Sequence, residues 1–189
     1  LLSMLLHTEV DGTPVEQSVV LGTAALVLIA GVDTTWSAIG SSLWHLAAHG
    51  DDRRRLVAEP AIMDCAVEEF LRAYSPVTMA RVVTRDVEFN RCPMKAGDRI
   101  LMNFPAANRD PDAFEDADTV VLDRAVNRHV AFGSGIHRCA GSNLARMELR
   151  VAIEEWLGRI PEFSLAPGQE VTWAGGQVRG PRTLPVVFG

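Results

Sequence analysis

Phe132-Gly133-Ser134-Gly135-Ile136-His137-Arg138-Cys139-Ala140-Gly141 decides how this chain reads, because it sets one cysteine in a backbone suited to holding a metal thiolate. Gly133 and Gly135 let the chain turn through φ values that a side chain forbids, and Gly141 leaves space for a flat group against the backbone. A helical pattern follows. Leu144, Met147, Leu149, Val151, Ile153, Trp156 and Leu157, interleaved with Arg146, Glu148, Arg150, Glu154 and Glu155, predict a largely buried helix whose N-terminus points back at Cys139. Its dipole and free N–H groups favour a thiolate over a thiol. The competing reading of Cys139 is a buried free cysteine, a common state for that residue type.

The pattern Phe-Gly-x-Gly-x-His-x-Cys-x-Gly resembles the haem-binding signature of the cytochromes P-450, and Phe132 to Gly141 match each of its fixed positions. The resemblance implies that Cys139 is the proximal ligand of a haem b iron. It also implies that Phe132 packs beside the sulfur, that His137 approaches a haem propionate, and that Gly133, Gly135 and Gly141 shape the cradle.

Far upstream, Thr13-Pro14-Val15-Glu16 reads as a helix start, with Thr13 as N-cap, Pro14 at the first helical position and Glu16 completing a capping box; Gly50 is the expected stop. Between Gln17 and Trp44 the only charge is Asp33, so this helix is expected to run through the interior. The uncharged run Val19 to Val32 is short for a membrane span. Within it, Ala30-Gly31-Val32-Asp33-Thr34-Thr35 resembles the family's oxygen-activation motif. Splitting dioxygen requires protons at the distal oxygen, so a hydroxyl and a carboxylate side by side suit the task. By resemblance Thr34 is the hydroxyl and Asp33 the proton relay, while Ala30 and Gly31 let the helix open and admit a diatomic ligand. The alternative is that Thr34 and Thr35 bond back to carbonyls one turn earlier.

Glu69-Phe70-Leu71-Arg72 lies on a helix expected from about Pro60 to Tyr74, ended by Ser75-Pro76. Glu69 and Arg72 share a face, a spacing common on any surface helix. In the family the matching pair is buried beside an arginine from the segment before the cysteine loop, which points to Arg124, with Arg128 as the neighbouring alternative. Met79 to Val83, Val87 to Phe89 and Arg99 to Phe104 have strand composition, and Val171 to Trp173 and Val178 to Val187 flank a Gly175-Gly176 hairpin signal. The resemblance puts Arg81 at a propionate and assigns Leu26, Ile29, Val77, Thr78, Met79 and Gln177 to the substrate pocket.

A net charge of −6 and a pI near 5.3 argue against nucleic acid as the main partner. Cys65, Cys92 and Cys139 form neither a disulfide framework nor a zinc pattern, which suits a reducing, cytoplasmic setting. The opening Leu1-Leu2-Ser3-Met4-Leu5-Leu6 reads as the middle of an amphipathic helix rather than a signal segment or membrane anchor. The expected fold is mainly α with small β-sheets, and residues 1–189 are expected to be the C-terminal portion of a single cytochrome P-450 domain without its N-terminal portion. The resemblance implies a monooxygenase acting on a small apolar substrate with dioxygen, fed by a ferredoxin and its NAD(P)H-dependent reductase. A haem-thiolate peroxygenase or isomerase, and a non-catalytic truncated haem protein, are the alternatives. Arg128, Arg138 and Arg146 are candidates to meet an acidic electron donor, or else a solvated face.

Overall fold

Turn chemistry rather than capping shapes the chain ahead of its longest helix. In the computed structural model, which describes residues 2–189, a short helix α1 (Leu2–Leu6) leads into a hairpin of β1 (Glu9–Val10) and β2 (Thr13–Pro14). Leu1 of the apolar opening lies outside the described residues. Asp11 and Gly12 turn the hairpin at φ 52° and 75°, the pair of left-handed residues that a two-residue loop requires. Thr13 and Pro14 are therefore strand residues, and the expected capping box does not form: Glu16 is the N-cap of α2 (Gln17–Ala48), with no side-chain cap bond. Gly50 does not close α2 either, because it opens α3 (Gly50–Ala58).

The two halves of α2 live in different environments. From Ser37 onward the helix buries Ala38, Leu43, His45, Leu46 and Ala47, whereas before Ser37 only Val20 is buried and Leu26, Leu28 and Ile29 are 65%, 69% and 71% exposed. The expectation of an interior helix thus holds for the C-terminal half alone. By length and composition α2 is able to cross a membrane, but its second half belongs to the core cluster with Leu56, Phe70, Leu122 and Leu149, which accounts for its apolar character there. His45 fastens this half to its neighbours, with Nδ1 at 2.6 Å from the Tyr74 hydroxyl and Nε2 at 2.7 Å from Asp52.

A 3-10 turn (Pro60–Ile62) leads into α4 (Met63–Ala73), whose apolar stripe of Met63, Ala66, Val67 and Phe70 packs into the same core. Four short strands follow: β3 (Met79–Val82), β4 (Val87–Phe89), β5 (Cys92–Met94) and β6 (Arg99–Met102). β3 pairs antiparallel with β6, Met79 opposite Met102, and β4 pairs with β5. The last strand stops short of Phe104 because Asn103 accepts from the Ala106 N–H and caps α5 (Phe104–Ala107). An irregular meander then runs to the cysteine loop, which contains a 3-10 turn at Gly135–His137.

Next comes α6 (Ser142–Arg159), which is less buried than its sequence pattern implies. Leu149, Ile153 and Leu157 form its buried ridge at a four-residue spacing, while Leu144, Met147 and Val151 are at least half exposed. A single ridge suffices to meet α2 and α4, so the rest of the circumference faces outward. The chain closes with β7 (Phe163–Leu165), β8 (Thr172–Ala174), β9 (Gly180–Thr183) and β10 (Val186–Phe188); β8 and β9 form the expected hairpin, and β10 pairs with β7.

Candidate functional site

The cysteine loop is folded by its own backbone. Cys139 N–H donates to the Phe132 carbonyl at 2.9 Å and Gly133 N–H to the Val130 carbonyl at 2.9 Å, while Gly133 and Gly135 sit at φ 72° and 65°. Substituting either glycine would strain the loop. Cys139 is an exposed free thiol, not the buried cysteine of the competing reading, and a Cβ built on Gly141 would lie 3.9 Å from its Sγ. His137 and Ile136 are exposed, so the loop presents a surface rather than filling the core.

Charge behind the loop is arranged by α4 and α6. Arg146 lies over the Phe132 ring, 4.6 Å from its centroid, and donates twice to Glu68, while His129 Nε2 donates to the same carboxylate at 3.0 Å. The Ala131 N–H approaches His129 Nδ1 at 3.2 Å on the other side of the ring. Burial works against the charge on Glu68, but the bonds from His129 and Arg146 outweigh it and hold its pKa down to about 2. The pKa of Arg146 is raised, first by Glu68 and also by the Cys139 sulfur. Arg146 is thus ion-paired and partly buried, while Arg128 and Arg138 are exposed.

On α2, Thr34 Oγ1 donates to the Ala30 carbonyl at 2.6 Å and the helix is continuous through Gly31, so the local opening expected of Ala30 and Gly31 is not seen. A Cβ on Gly31 would meet nothing within 4 Å, which leaves the helix surface open at this point. Asp33 does not stand alone as the sequence implies. Arg182 on β9 donates to it at 2.7 Å, and this hydrogen bond lowers the carboxyl pKa from its ordinary value.

Glu69 and Arg72 form a fully buried pair. Arg72 donates from Nε and Nη2 to the two oxygens of Glu69 at 2.8 Å, and its other N–H groups reach the carbonyls of Asn108, Ala117 and Thr119 at 2.7 to 2.8 Å. Glu69 also accepts from Arg124 Nε at 3.0 Å, Asn127 Nδ2 at 3.0 Å and the Val121 N–H at 2.8 Å. Arg124 therefore meets the pair, and the second meander donor is Asn127 rather than Arg128. Burial raises the Glu69 pKa, but these donors outweigh it and the carboxylate titrates below its ordinary range.

The pocket candidates after α4 are brought together by backbone. Val77 bridges Val178, Thr78 N–H donates to the Gln177 carbonyl at 2.9 Å, and the Gln177 amide lies 3.7 Å from Met79 Sδ. Leu26 and Ile29 are exposed on the first half of α2. Arg81 turns back on its own strand, with Nη1 bonding the Ala80 carbonyl at 2.9 Å. Sequence reasoning missed Arg182, Asn127 and Asn108; the last is wholly buried, donates to Ser75 Oγ and accepts from the Val130 N–H, tying the end of α4 to the cysteine loop.

Known proteins resemble this chain in sequence and fold. The family model described as Cytochrome P-450 matches residues 1–172. The steroid C26-monooxygenase of Mycolicibacterium smegmatis is 38% identical over 190 residues, covering 100% of this chain and 47% of that protein. The vitamin D(3) 25-hydroxylase of Pseudonocardia autotrophica is 38% identical over 193 residues, covering 100% of this chain and 48% of that protein. The solved bacillaene polyketide synthase cytochrome P-450 PksS of Bacillus subtilis superposes with a TM-score of 0.93 at 35% identity, covering 98% of this chain and 49% of that one. The chain thus spans about half the length of the relatives it matches. With its family model matched along most of its length and its fold superposing on a solved member, this chain belongs to the cytochrome P-450 family.

Proposed function

We propose that the protein acts as a haem-thiolate monooxygenase, with Cys139 holding the iron of haem b and α2 forming the opposite wall of the site. Members of this family bind haem. The residues present fit such a group: an exposed thiol lies on a loop held open by two left-handed glycines, Arg146 supplies positive charge near the sulfur, and the apolar first half of α2 stands uncovered. The cysteine loop is the observation that carries the reading. When bound, haem supplies electron-by-electron activation of dioxygen and transfer of one oxygen atom to a C–H bond, with the thiolate as electron-rich ligand.

The chain's own residues have separate tasks. Cys139 Sγ would hold the iron, with the positive charge of Arg146 and the start of α6 beside it. Phe132, with the Arg146 guanidinium over its ring, would pack beside the ligand sulfur. Thr34 Oγ1, which donates to the Ala30 carbonyl in this structure, would hold a proton on the side of α2 that faces the haem, and the Asp33 carboxylate would exchange protons with solvent beside it. Leu26, Ile29, Val77, Thr78, Met79 and Gln177 receive the apolar substrate, and His137 and Arg81 neutralise the propionates. A ferredoxin with its NAD(P)H-dependent reductase delivers electrons across the face carrying Arg128 and Arg138.

The reduced carbon-monoxide difference spectrum of the haem-loaded protein tests the reading. A band at the thiolate position supports it; a band at the histidine position overturns the assignment of Cys139.

A further inference from the structure

Arg182 sits 149 residues from Asp33 in sequence, yet its Nη1 donates to Oδ1 at 2.7 Å and its Nη2 to Oδ2 at 3.4 Å. Both side chains are 38% exposed, and an ion pair so open to water has little strength of its own. The backbone beneath it gives the pair its geometry. A Cβ on Gly180 would fall 2.5 Å from the Ser37 Cβ, and one on Gly40 would fall 2.9 Å from the Pro181 ring, so β9 rides directly on α2. The Trp36 ring, 5.6 Å from the guanidinium carbon, confines the sweep of the arginine. Arg182 therefore approaches Asp33 from a fixed root.

We infer that Arg182 is a positioning residue for Asp33: it keeps the carboxylate ionised and turned toward β9, and so sets when that carboxylate takes up and passes on a proton. The inference rests on the proton-carrying role proposed for Asp33. Charge and direction both follow from the contact, since a guanidinium stabilises the ionised acid and a two-point contact restrains its rotation.

The test uses the haem-loaded protein as wild type, Arg182→Gln, Arg182→Lys and Asp33→Asn. Infrared difference titration follows the Asp33 carboxyl band, identified by its absence in Asp33→Asn. Hydrogen exchange follows the β8–β9 amides. A plant-type ferredoxin with its NADPH-dependent reductase drives dioxygen consumption without added substrate, and the peroxide released per dioxygen reports misdirected protons. In Arg182→Gln we expect Asp33 to protonate at higher pH, peroxide yield to rise several-fold and hairpin exchange to stay unchanged, with Arg182→Lys falling between it and wild type. If Asp33→Asn alone leaves the peroxide yield unchanged, the proton-carrying role of Asp33 fails and the inference falls with it. If Asp33→Asn raises the yield while Arg182→Gln moves neither yield nor titration, the inference alone is overturned. Faster hairpin exchange in Arg182→Gln, without rescue by lysine, would make Arg182 a structural anchor and overturn it too.

Discussion

Glu69 receives five hydrogen bonds inside the protein, and every one comes from a group that would lose its partner if the carboxylate were removed. Glu69→Ala leaves the Arg72 guanidinium buried with part of its compensation gone, at an expected cost of about 3–5 kcal/mol; chemical denaturation measures it. Glu68 makes a prediction about pH. Its carboxyl is depressed from 4.5 to about 2 in the folded protein. Its contribution to stability is therefore complete above pH 4.5 and is lost as pH falls toward 2. Glu68→Gln should accordingly be less stable than wild type at neutral pH, with the gap closing as denaturation is repeated at successively lower pH. At Thr34 the hydroxyl already bonds Ala30, so Thr34→Ala should leave helix content unchanged. Its effect belongs to the chemistry: peroxide released per dioxygen consumed should rise several-fold in the haem-loaded protein, and an unchanged yield would make Thr34 an ordinary helix hydroxyl.

Elements meet here through close backbone approach, most tightly where β9 crosses α2. Gly180→Ala would force a Cβ within 2.5 Å of Ser37 Cβ and 2.8 Å of its Cα, so the strand must lift. We expect a loss of about 1–3 kcal/mol, recovered only in part in the Gly180→Ala, Ser37→Gly double variant because the contact with the residue-37 Cα remains, with a denaturation cycle as the measurement. A glycine before proline inside a strand pattern already hints at such an approach, so this contact had a local signal. Others had none. Glu69 and Arg72 are legible as neighbours one turn apart, but their burial depends on carbonyls of Asn108, Ala117 and Thr119 that no spacing in the sequence connects to them. Arg182 is the extreme case, since nothing around it marks a partner 149 residues away. The cysteine loop was legible because its chemistry is local: glycines, ligand and following helix are consecutive. Thr13-Pro14 was misread because its residues suit a helix start and a strand equally, and the Asp11-Gly12 turn decided between them.

For the whole molecule, the contrast between the halves of α2 governs behaviour in solution. Leu21 and Leu28, 62% and 69% exposed, lie two turns apart on a helix whose first half contributes only Val20 to the buried residues. Uncovered apolar surface of this kind drives association. The 189-residue chain alone should self-associate, and the Leu21→Glu, Leu28→Glu variant should sediment as a smaller species at the same concentration with unchanged helix content. The same long-range wiring has a consequence for how the chain acquires order. Segments from Asn108 to Thr119 hold almost no regular secondary structure, yet three of their carbonyls converge on the guanidinium of Arg72. These contacts span 36 to 47 residues, so closing them before α4 exists would sacrifice chain entropy with nothing to receive the carbonyls. Arg72 is therefore expected to act as a template, the meander taking shape on a finished helix. Proteolytic nicking between Asp110 and Asp118 is then a gauge of a distant event, because that stretch becomes cleavable when α4 loosens its hold on it.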